Sequence, residues 1–76
     1  MGTVAAIGAR ARVGGLALAG VDVLVAEDAD AVRRAWRALP GTVSLVIVTA
    51  EAADVLRRDG TAEPDPSRPL TAVMPP

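Results

Sequence analysis

Apolar residues fall into four short, nearly unbroken runs, at 3–7, 21–26, 43–48 and 70–74. Each run is rich in β-branched residues and is continuous rather than alternating. Strands covered on both faces read this way, and parallel sheets are the usual case. Three stretches with helical spacing lie between the runs, so the pattern predicts the order β-α-β-α-β-α-β. Right-handed crossovers between parallel strands then favour an α/β domain. The expected sheet has four parallel strands in the flavodoxin-like, receiver-like order 2-1-3-4, with helices on both faces. Its topological switch point falls between the first and third strands, faced by the loops at 8–12 and 49–51.

The second helix is the most sharply marked. Asp28 can cap it, and Asp30 sits in the first turn, where the helix dipole favours negative charge. Ala29, Val32, Trp36 and Leu39 follow one face, while Asp30, Arg33, Arg34 and Arg37 fall mostly on the other. Asp30 and Arg34 form an i,i+4 pair in the favourable direction, worth about 0.3 kcal/mol. Pro40-Gly41 ends the helix.

The third helix is expected to start with Thr49 as N-cap and Glu51 in its first turn. Ala52, Val55 and Leu56 make its apolar face, Arg57 and Arg58 its last turn, and Gly60 its C′ residue. The first helix, running to Gly20, is the weakest, because Gly14 and Gly15 each cost about 1 kcal/mol of propensity against Ala. Their small size would let the helix lie close to the sheet. Three prolines within 61–69 exclude helix and central strand there, leaving a loop before the last strand. The whole of 1–76 reads as one domain.

A domain of 76 residues buries only about 60–65% of its unfolded surface, so its stability margin is thin. A hydrophobic content of 51% supports a packed core, with Trp36 as its single aromatic residue. There is no Cys and no His, so neither a disulfide nor an ordinary zinc or copper site is expected. All 8 basic residues are Arg. The chain therefore lacks the Lys of a Schiff base, of a P-loop and of a receiver domain. A net charge of −1 and the lack of stacking aromatics argue against nucleic acid as a partner. No apolar run reaches the ~18–20 residues needed to span a bilayer, and no signal peptide is read, so a cytoplasmic protein without direct membrane insertion is expected.

The glycine-rich stretch from Gly8 to Gly15 fits neither the dinucleotide-binding pattern nor the P-loop pattern. Gly14 and Gly15 are read instead as allowing close helix packing. A receiver domain would carry phospho-accepting and metal-binding acids at its strand ends. Here the first strand ends at Gly8-Ala9 and the third at Thr49. Thr49 has no His or Lys base beside it, so no nucleophile–base pair is formed. No catalytic, cofactor-binding or metal-ligating residue is assigned. Four cations remain as candidate partner contacts: Arg10 and Arg12 on the first loop, and Arg33 and Arg37 on the second helix.

The chain also resembles the F subunits of the V-type (archaeal/bacterial A/V-type) rotary ATPases. The matching features are Ile7-Gly8, Val13, Gly15, Leu18-Ala19-Gly20 leading into Val21, the acidic turn Glu27-Asp28, Ile47-Val48-Thr49 with Glu51, and Pro69 before a last strand ending near Pro75. Where the family usually carries acids after the first strand, this chain has Ala9 and Ala11. The resemblance implies a noncatalytic central-stalk component that pairs with the coiled-coil, D-type shaft subunit. Such a component helps couple ATP hydrolysis or synthesis to proton or ion transport and meets the membrane only through the complex. The residues themselves leave two other readings open. One is a small-ligand or nucleotide-sensing regulatory domain, resting on Arg10 and Arg12 beside the crevice. The other is a receiver-like pseudo-domain working through protein contacts.

Overall fold

The computed structural model describes residues 2–60 and 69–74. In it the chain is an α/β domain built on a four-stranded, all-parallel sheet in the order β2-β1-β3-β4. The strands are β1 (Thr3–Gly8), β2 (Asp22–Val25), β3 (Val43–Val48) and β4 (Leu70–Val73). The helices are α1 (Arg10–Val13), α2 (Ala29–Arg37) and α3 (Ala50–Arg58), with a 3-10 helix at Gly14–Ala19. The predicted element order, strand order and parallel pairing are all observed. The predicted 61–69 loop lies outside the described residues except for Pro69, as does Pro75.

The core lies between the sheet and the α2/α3 layer. Ala5 and Ile7 of β1, Val46 and Val48 of β3, and Ala26 after β2 meet Val32 and Trp36 of α2 and Ala52, Ala53 and Leu56 of α3. The alternate residues on each strand point to the opposite, or back, face. Register places Ala6 beside Ile47, and Ile47 beside Ala72, along that face. Trp36 is buried in the core, as expected.

Both predicted N-caps are in place. The Asp28 carboxylate accepts the Ala31 N–H at 2.7 Å, and the Thr49 hydroxyl accepts the Ala52 N–H at 3.2 Å. Gly60, with φ +74°, follows the end of α3 in the left-handed conformation expected of a C′ residue.

Four expectations are corrected. The first helix is not one continuous α-helix, since only Arg10–Val13 is α and the rest is 3-10. The glycine pair weakens the α-helical form there, since glycine supplies no side chain to pack and has low helix propensity. Nor do those glycines allow close packing. Both are exposed, a side chain on Gly15 would meet nothing within 4 Å, and one on Gly14 would meet only Arg10 at an ordinary 3.8 Å. Ala29 is exposed, while Ala31 and Ala35 pack against the core, so the apolar face of α2 is rotated slightly from the predicted one. Asp30 pairs with Arg33, not Arg34. Arg33 lies toward α3, where Asp59 draws the same guanidinium.

Candidate functional site

In a doubly wound sheet the natural binding position is the crevice above the C-terminal ends of the strands at the switch point. Here that position lies above β1 and β3, with the end of β2 beside it. The main chain stitches the three strand ends together. Thr49 N–H donates to Ile7 O at 3.2 Å, and Ala26 N–H donates to Gly8 O at 2.8 Å.

Gly8 is the residue that permits this closure. A Cβ at position 8 would fall inside van der Waals contact with Thr49 Cγ2 and crowd its hydroxyl as well. Thr49 itself is 2% exposed. Its hydroxyl is committed to the α3 N-terminus, and its methyl fills the space above Gly8.

The second wall of the crevice is the start of α1. Ala9 precedes it with extended backbone and provides no side-chain cap. That role falls to Glu27, whose Oε1 accepts the Arg10 N–H at 2.8 Å from the segment after β2. Arg12 N–H and Val13 N–H turn back onto Ala9 O, at 2.9 and 3.1 Å. A carboxylate of the protein thus occupies the position where a bound phosphate would take its first amide. In the sequence Glu27 reads only as part of an acidic turn. The contact spans 17 residues and depends on the β1–β2 register, which brings Gly8 opposite Val25.

The four candidate cations do not converge. Arg10 and Arg12 are exposed on α1, beside the crevice. Arg33 and Arg37 lie toward the other end of the domain, because α2 runs antiparallel to the strands. Arg33 is held within the chain, its Nη1 at 3.0 Å from Asp30 and its Nε at 2.7 Å from Asp59. The hydrogen bond to Asp59, with that group's charge, raises the guanidinium pKa further above its ordinary value. Arg33 therefore ties α2 to the end of α3. Arg37, exposed in the last turn of α2, is the more accessible of the two. On α3, Arg57 pairs with Asp54.

Among the described residues, no group of three or more His, Cys, Asp or Glu is placed to hold a metal ion. No helix among them is long and apolar enough to cross a membrane. Fold and site together define a small, doubly wound α/β domain whose strand-end crevice is bordered by its own Thr49 and Glu27. The chain matches no protein-family model, no curated protein and no solved structure.

Proposed function

We propose that the chain is a noncatalytic central-stalk subunit of a V/A-type rotary ATPase, coupling ATP hydrolysis or synthesis to proton or ion transport through the shaft subunit. The observation that supports the noncatalytic part is that the polar side chains bordering the crevice are engaged within the chain. Glu27 holds the Arg10 amide, so a phosphate seeking that amide would have to displace it. The stalk assignment is supported by the resemblance. Its motifs fall at coherent places in one fold: Ile7-Gly8 ends β1, Leu18-Ala19-Gly20-Val21 leads into β2, Glu27-Asp28 precedes α2, and Ile47-Val48-Thr49 joins β3 to α3.

On this reading the chain is cytoplasmic and is held at the membrane only by the complex. Arg10 and Arg37 are exposed and can face an acidic surface of the shaft, whereas Arg33 is engaged within the domain. Co-expression with a coiled-coil shaft subunit should yield a stable one-to-one complex. Absence of a complex at micromolar concentrations would refute the assignment.

One observation favours a second reading, a ligand-sensing domain: Arg10 is exposed at the mouth of the crevice. Calorimetry with ATP, inorganic phosphate and acetyl phosphate decides between the two. Heat of binding supports the sensor, and flat titrations remove it.

A further inference from the structure

The two edge strands of the sheet are held very differently. β2 is four residues long, yet its Leu24 packs against the core, and α1, α2 and the 3-10 helix all lie against it. β4 has the same length, but every one of its residues is exposed. Leu70 is 75% exposed and Val73 57%. Register sets Thr71 beside Val46 and Val73 beside Val48. Val46 and Val48 are buried, because α2 and α3 lie over β1, β2 and β3 rather than over β4. No residue of β4 belongs to the core cluster, and among the described residues β3 is its main neighbour.

What holds β4 is therefore its backbone ladder. Met74 N–H donates to Val48 O at 2.8 Å. Along a central parallel strand the N–H groups turn alternately to the neighbour on either side. Thr49 N–H donates to Ile7 O on β1, so Ile47 N–H also faces β1. Val46 and Val48 turn their N–H groups toward β4, and Ala72, like Met74, turns its own toward β3. Ladder bonds by themselves hold a strand weakly, because water replaces each of them when the strand leaves. Burial of apolar side chains is what ties an element into the cooperative unit.

We propose that β4 is a detachable strap, which leaves and rejoins the edge of β3 while β1, β2, β3, α2 and α3 stay folded. Its opening bares the outer edge of β3, where the N–H and C=O groups of Val46 and Val48 are then unpaired. A bare edge of this kind is the acceptor that strand addition uses. Thr49 keeps its place during the opening, since its N–H is engaged by β1 and its hydroxyl by α3. The strap therefore moves at the margin of the sheet and leaves the switch point intact. This inference concerns β3 and β4 alone and is independent of the stalk reading.

Native-state hydrogen exchange on the full chain, read residue by residue by NMR, tests it. The expected signature is an alternation along β3. Val46 and Val48 should be protected at least about tenfold less than Ile47 and Thr49, as a local opening implies. Their exchange should also respond little to low urea, because opening β4 exposes little surface. Equal protection at all four positions, with one urea dependence, would mean that β4 leaves only when the whole domain unfolds, and overturns the proposal. So does fast exchange confined to Met74, which is fraying of the strand end and does not reach Val46. Ala72→Pro removes one ladder N–H at an exposed position. It should speed exchange at Val46 and Val48 by about fivefold or more and leave Ile47, Thr49 and Trp36 fluorescence unchanged. Loss of the fold in that variant would place β4 in the cooperative unit and count against the strap.

Discussion

The methyl group of Thr49 occupies the space that a side chain at Gly8 would need. This pair lies at the switch point of the sheet and joins the end of β1 to the start of α3. It also joins two roles in one residue, since the Thr49 hydroxyl caps α3 while its methyl packs on Gly8.

Gly8→Ala should therefore destabilise the domain by about 1–3 kcal/mol, the usual cost of overpacking. Thr49→Ser removes the obstructing methyl and keeps the capping oxygen, so the double variant should recover part of the loss. Urea denaturation of the two single variants and the double variant measures this. Additive losses would show that the two residues do not collide.

Gly15 gives the opposite expectation. Nothing lies within 4 Å of a Cβ there, and its φ is not positive. Gly15→Ala should stabilise the fold by about 0.4–1 kcal/mol, largely by restricting the unfolded chain. A lowered midpoint in thermal unfolding would contradict the open surroundings of this residue.

Glu27→Ala should free the Arg10 amide. The expected signature is local: faster hydrogen exchange at Arg10 and its α1 neighbours, with the α2 and α3 amides unchanged. The global loss should be about 0.5–1 kcal/mol, as for other helix-terminal acceptors. Unchanged exchange at Arg10 would mean that Glu27 does not hold α1 in solution.

Asp28→Ala removes the cap of α2 and should cost about 1 kcal/mol. Asp28→Asn or Asp28→Ser should restore most of it, because either side chain can accept the Ala31 N–H. Chemical denaturation monitored by Trp36 fluorescence provides the readout, since Trp36 lies on the buried face of the same helix.

Arg33 and Asp59 link α2 to the end of α3 through an exposed contact. A double-mutant cycle with Arg33→Ala and Asp59→Ala should show a favourable coupling that shrinks as salt is added. Replacing Arg34 should leave that coupling intact. Salt-independent coupling would argue that the residues interact through packing rather than charge.

The local grammar of the sequence determined most of the fold. Continuous β-branched runs marked the parallel strands, although only β1 and β3 are buried while β4 is exposed along its length, and the spacing of Val32 and Trp36 marked the inner face of α2. Asp28 and Thr49 announced their caps because capping is decided within three residues. The strand order 2-1-3-4 is the one expected of a flavodoxin-like doubly wound sheet with right-handed crossovers. What the tertiary structure alone decided were contacts between residues distant in the chain. Gly8, unlike Gly14 and Gly15, is closely packed, because closeness depends on β3 and α3 arriving beside β1. Glu27 caps α1 across 17 residues, and Arg33 turns from a surface cation into a link to Asp59. Capping and periodicity act over a few residues and can be read in one dimension. Which side chain packs on a strand-end glycine, or answers a charge on another helix, is set only when the sheet register brings the two together.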